Sequence, residues 1–239
     1  MNEKLPLTAR LLILAVAAEG VALVVLRTID ATRWNGRDLL TWLALTGGIA
    51  LAEQFTIPIQ FLTETLNFSV TEGMWIAALI LARGSVLTLA VGAGILIGNT
   101  VRRWAPYKAA FNVGQFVLAV TVAQVVYGSF HVHGALHPMT WLATAAAMAA
   151  YAAVNAGLVA LVISLVERKP YRTVLLPPLR ANALHFAGNT VIGPAGAMLW
   201  TASPYAFPAV ALPLGMAFVI YRFLAVAARH RAEAGPLGA

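Results

Sequence analysis

The residues best able to do chemistry in this chain are polar groups set inside long apolar runs: Glu19, Glu53, Glu64, Glu72, Asn99, Asn112, Gln115, Gln124, Asn155, His185 and Asn189. At bilayer depth such groups are costly and mark functional positions by default. Asn112 and Gln115 lie three apart and share one helix face. Asn112, Asn155 and Asn189 fall on three separate expected helices, so a central amide cluster forms if those faces meet. Asn112, Gln115, Asn155 and Asn189 are therefore the candidate ligand-binding set. The plainer reading is that these amides hydrogen-bond between helices, at about 0.6 kcal/mol each and at most about 2 kcal/mol. Glu19 joins the set for another reason: a carboxylate within an apolar helix must pair, take a proton or face water.

His131, His133 and His137 cluster in one expected loop and are the only metal-ligating candidates. Imidazole suits zinc, copper and nickel, but Gly134 and Pro138 favour a loop over a helical scaffold there. The chain has no His-Glu-x-x-His helix, phosphate-cradling Gly loop or Gly-x-Ser-x-Gly elbow. Ser85 and Ser164 have no adjacent base, and the last two expected spans hold no lysine for a retinal Schiff base. No catalytic residue and no cofactor is expected, and the chain is not read as an enzyme.

The elements that must position these groups follow from composition. Of 239 residues, 60% are hydrophobic and 10% charged, whereas a soluble domain needs about 25% charged residues. The apolar residues come in continuous blocks such as Leu11 to Leu26, without the alternation of barrel strands. A bilayer-spanning helix needs about 20 apolar residues and satisfies its own backbone. The expected fold is all-α: a polytopic transmembrane bundle of seven or eight spans, in one membrane domain over residues 1–230 with a polar tail at 231–239. The basic, apolar start resembles a signal peptide, but its apolar run is long and further spans follow at once. It reads as a retained first helix. The absence of cysteine excludes disulfides and thiolate metal sites.

The expected spans are Thr8–Arg27, Leu39–Ile57, the tight pair Met74–Ala82 and Ser85–Val101, Tyr107–Phe130, Met139–Val166, Asn182–Trp200 and Pro208–Ala228. Thr28–Asp38 reads as a connector, Pro58–Gly73 as an amphipathic interfacial or re-entrant segment, and Glu167–Arg180 as a basic loop. The net charge of +7 sits at helix ends, as topology determinants do, so nucleic acid is not an expected partner. Short-loop Lys/Arg counts put Arg102–Lys108, Arg168–Arg180 and the C-terminus in the cytoplasm. Arg27, Arg33 and Arg37 break that pattern under an eight-span reading. Ala145, Ala149, Ala153 and Gly157 line one helix face, and Ala90, Gly94 and Gly98 another. Small residues at this spacing allow close helix packing, within the chain or across a homodimer.

The stretch Phe68–Gly84, the run Gly92–Asn99 and Lys108–Ala119 together resemble the N-terminal membrane-associated sensor region of bacterial cyclic-dinucleotide signalling proteins. Tyr151–Asn155, Leu158–Val166 and Pro213–Arg222 fit the same layout. In that group the region precedes an HD-type phosphodiesterase or a diguanylate cyclase. This chain ends shortly after its last expected helix, so the resemblance implies a stand-alone relative, a shortened form, or a subunit that signals through a partner. The segment Ile76–Gly98 is also similar to substrate-binding subunits of energy-coupling-factor transporters.

The resemblance implies a sensor-like module in the bacterial inner membrane. It would bind a small ligand or sense membrane state and signal to a cytoplasmic enzyme. A substrate-binding or permease subunit with a transporter ATPase partner is the second expectation, and a structural subunit of a larger complex the third. Membrane lipid is the expected surrounding partner in each case.

Overall fold

The structure, a computed structural model, describes residues 5–54, 57–61, 64–68, 71–132, 135 and 137–203, with backbone alone at 57–61, 64–68, 181 and 184. The chain divides into Met1–Ala197 and Met198–Ala239. The expected last span Pro208–Ala228 and the tail lie outside the described residues.

Among the described residues, eight helices and two paired strands follow in order: α1 Leu7–Ala31, α2 Gly36–Ala52, β1 Ile57–Phe61, β2 Glu64–Phe68, α3 Thr71–Leu81, α4 Gly84–Val101, α5 Pro106–Ser129, α6 Met139–Glu167, α7 Tyr171–Ala181 and α8 Ala183–Ala202. Four of them, α1, α4, α5 and α6, are long and apolar enough to cross a membrane. The protein is read as a helical membrane protein on that basis.

Local chemistry sets the boundaries. Asn35 accepts a hydrogen bond from the Asp38 amide while the Asp38 carboxylate accepts one from the Asn35 amide. This reciprocal cap starts α2 three residues before the expected position. Pro106 opens α5, where its missing N–H costs nothing.

Two stretches depart from expectation. Ile57–Phe61 and Glu64–Phe68, expected as part of an interfacial or re-entrant segment, pair as antiparallel strands in the register Ile57↔Phe68 to Phe61↔Glu64. The alternating Ile-Pro-Ile-Gln-Phe and the β-branched Thr65 suit strands, so the all-helical expectation holds for the packed body and not for these two strands. Residues 171–181, expected within a loop, form α7 despite Pro177 and Pro178. Val174, Leu175 and Leu179 make its half-buried side.

Interhelical pairs fix the direction of each helix. Arg83 meets Asp38 at 3.4 Å, joining the start of α2 to the α3–α4 turn. Arg102 meets Glu53 at 3.9 Å, joining the far ends of α2 and α4. Thus α2 and α4 run the same way and α3 runs back. Asn112 donates to Asn99 at 3.2 Å near one end of the α4–α5 pair. At the other end Gln124 donates to the Gly84 carbonyl and to Thr88 Oγ1, both at 3.0 Å. Its carbonyl accepts from Arg27 at 3.2 Å, bringing in α1. One end of the bundle is therefore marked by Arg27, Arg83 and Gln124, the other by Glu53, Asn99 and Arg102.

The core lies among α2 to α6, where Ile49, Trp75, Ile76, Leu87, Val91, Ile95, Val120 and Tyr151 pack together. Ala90, Gly94 and Gly98 form the buried face of α4, and a methyl at Gly94 would run into Ile49. The close packing expected of that face is present within the chain. On α6, Ala145, Ala149 and Ala153 are instead exposed among the described residues, while Ala143, Ala147 and Tyr151 face inward.

Candidate functional site

The helix α3 has 11 residues and rises about 16 Å, roughly half the ~30 Å hydrocarbon thickness. It starts beside Glu53 and finishes at Arg83, with its first turn enclosed by the bundle. That turn carries Thr71, Glu72 and Gly73, all buried. A helix N-terminus presents free N–H groups and a partial positive charge, which favours an acidic side chain in the first turn.

Glu72 meets His185 of α8, with Oε2 3.3 Å from Nε2 and side-chain exposures of 10% and 6%. Asn189 is one turn further along α8, its Nδ2 3.2 Å from His185 Nε2 and its residue fully buried. Gly73 makes the approach possible: a Cβ there would stand 3.1 Å from Asn189 Oδ1. One ring nitrogen cannot donate to Glu72 and accept from Asn189 at once. With Nε2 turned to Glu72, the other ring nitrogen, 3.4 Å from Asn189 Nδ2, is the acceptor left for the amide, so the ring joins the two side chains and is sensitive to anything that displaces α8.

A second polar layer adjoins it. Thr71 Oγ1 donates to Glu53 Oε1 at 3.3 Å, and Arg102 approaches the same carboxylate. Gln54, next to Glu53, donates to the Gly98 carbonyl at 3.3 Å and closes α2 on α4.

The expected central amide cluster resolves into separate pairs. Gln115 donates to Asn155 at 2.5 Å, tying α5 to α6, and Asn112 bonds Asn99. Asn189 belongs with His185 and Glu72 instead. Part of the first two pairs' capacity stays open, since Asn99 Nδ2 and Gln115 Oε1 are buried with no hydrogen bond among the described residues.

Glu19 does not join any of them. It lies on the exposed face of α1, because the buried side of that helix is the small-residue seam of Ala9, Ile13, Val16 and Gly20. His131 and His137 are exposed and locally bonded, to the Ser129 carbonyl and the Met139 amide, while His133 lies outside the described residues. No three His, Cys, Asp or Glu side chains converge among the described residues.

Glu72 and His185 form the most buried acid–imidazole contact among the described residues, and sequence reasoning placed neither in the candidate ligand set. The available signal was a carboxylate and an imidazole at bilayer depth, with His185 four residues before Asn189 on one face. Aligning α3 with α8 required the fold. Comparison adds no relative: no family model matches the chain, and no curated protein or solved structure matches it.

Proposed function

We propose that this protein is a membrane-embedded sensor module whose input is the buried centre at the start of α3, and whose output reaches a cytoplasmic partner at the Arg102 end. The observation that supports this reading most is the Glu72–His185 pair. It joins a half-length helix to α8 at a buried ionisable contact, and a small ligand or a change in bilayer state that displaces it shifts the packing of the two helices. Arg102, Arg103, Lys108, Arg168, Lys169 and Arg172 cluster at the end nearest that centre, which favours placing it on the cytoplasmic side. In this reading the chain resides in a bacterial inner membrane, with seven or eight spans and the C-terminus inside.

The alternative, a substrate-binding subunit of a transporter, draws support from α3 itself. Helices that stop within the bilayer often line substrate sites. Both readings treat Glu72, His185 and Asn189 as the contact residues.

Purification from the native membrane in mild detergent, followed by mass spectrometry of every retained protein and small molecule, separates them. The sensor reading expects a signalling enzyme whose activity changes when His185 is replaced by Gln. Retained ATPase subunits or a bound vitamin-sized molecule would transfer the assignment to transport. A stable complex whose composition and activity ignore His185→Gln would leave only a structural role.

A further inference from the structure

A groove of about 530 Å3 runs between α1, α2, α4 and α5, away from the polar centre. Its floor is made of small residues, Gly20, Gly92, Ala93 and Gly114, and its other end holds Trp34 and Trp42. The volume falls within the ~300–1,000 Å3 of small-molecule sites, and the lining is almost entirely apolar.

The two ends differ in chemistry. The indole rings of Trp34 and Trp42 lie 6.3 Å apart, and Trp34 Nε1 donates to Ser85 Oγ at 3.1 Å, which places this mouth at the Arg83 end of the bundle. The Trp42 indole N–H is buried and makes no hydrogen bond among the described residues. Tryptophan is the residue of the headgroup level, with one side apolar and an N–H for polar neighbours. Arg33 and Arg37 flank Trp34 in sequence, are exposed, and form no ion pair among the described residues. They belong to the basic group that the distribution of loop charge leaves unexplained.

We infer that this groove is a lipid site, holding one acyl chain of an anionic phospholipid along the Gly20–Gly92–Gly114 floor. The headgroup phosphate lies between Arg33 and Arg37, and the Trp34 and Trp42 rings flank the glycerol region. Every part of that ligand meets a matching group: the chain an apolar trough, the glycerol region two indoles, the phosphate two unpaired guanidiniums. An ordinary annular lipid needs none of these. The inference is independent of the role proposed for Glu72 and His185.

The test reconstitutes the full chain in phosphatidylcholine vesicles doped with a small fraction of brominated-chain lipid, either phosphatidylglycerol or phosphatidylcholine, and reads tryptophan quenching. Brominated phosphatidylglycerol is expected to quench at roughly tenfold lower mole fraction than brominated phosphatidylcholine, the preference two interfacial arginines provide. Trp42→Phe should remove much of that early quenching. Arg33→Gln/Arg37→Gln should abolish the preference while leaving the fold intact, because both side chains are at the surface. Ala93→Phe should weaken quenching by both lipids. Equal quenching by the two lipids, as for an annular lipid only, would overturn the assignment. So would a preference that survives the double arginine variant, or no early quenching at all because a protein segment fills the groove.

Discussion

Replacing Glu72 by Leu is expected to lower the unfolding free energy by about 1–3 kcal/mol, the cost of leaving a buried polar partner unsatisfied. The pair is enclosed on both sides, at 3.3 Å, so the His185 ring would face an apolar side chain across α3 with no route to solvent. Glu72→Gln should cost less, because an amide still offers an acceptor to the ring. The informative variant is the double one. Glu72→Leu/His185→Leu should recover a large share of the loss, since removing both members leaves an apolar contact and no unsatisfied polar partner. The measurement is denaturant or thermal unfolding in detergent for the four members of the cycle. Strictly additive losses would show that the two side chains do not depend on each other, and the pair could not then act as a single input.

The second large effect is expected at the seam of α1 and α5. A methyl group on Gly114 would run into the Val16 carbonyl oxygen, lie 2.9 Å from the Val16 carbonyl carbon and 3.1 Å from Ala17 Cα. A methyl on Gly20 would meet Gly114 Cα in turn. These obstacles are backbone atoms, which cannot step aside as a side-chain tip can. Gly114→Ala should therefore cost about 1–3 kcal/mol, and Gly114→Leu should displace α1 from the bundle. Apolar surface gives α1 no drive to return, because lipid solvates it equally well. Gly128, also on α5, is the control: a Cβ there has nothing within 4 Å, so Gly128→Ala should be neutral or slightly stabilising. Unfolding in detergent, with thiol accessibility of a single cysteine on the buried side of α1, reports both. The natural absence of cysteine makes that probe clean. A fully tolerated Gly114→Leu would contradict the seam.

The legibility of this fold from sequence follows the physics of each element. Continuous apolar blocks announce lipid-facing helices because nothing else satisfies the backbone in hydrocarbon, and α1, α4, α5 and α6 were readable for that reason. Elements whose pattern is short or carries breakers were not. The strands at 57–61 and 64–68 have alternation over only five residues each, and Pro177-Pro178 hides α7. The Asn35-x-x-Asp38 cap was visible in principle but lay in a stretch that reads as a polar connector.

The site was legible by residue type and not by partnership. Bilayer depth singled out Glu72, His185 and Asn189 among the polar groups, yet the choice of which groups meet depends on helix rotation. Spans such as α1 are apolar on every side, so the sequence carries little signal for which face is buried. That is why Glu19 reads as a core carboxylate and lies on the outer face, and why Asn189 leaves the amide group for His185.

The central claim is that α3 and α8 are joined through their buried centre and that this junction sets the output. A disulfide tests it with Glu72 and His185 left in place. A Cβ at Gly193 of α8 would lie 2.5 Å from the Ile76 Cβ of α3, a separation that relaxes by roughly 1 Å to the ~3.8 Å of a disulfide. Ile76→Cys/Gly193→Cys in otherwise cysteine-free protein, oxidised in native membranes, is expected to cross-link within one chain and to hold the partner's activity at one level until reduced. Failure to cross-link, or a cross-linked protein whose partner still responds as before, would contradict the account.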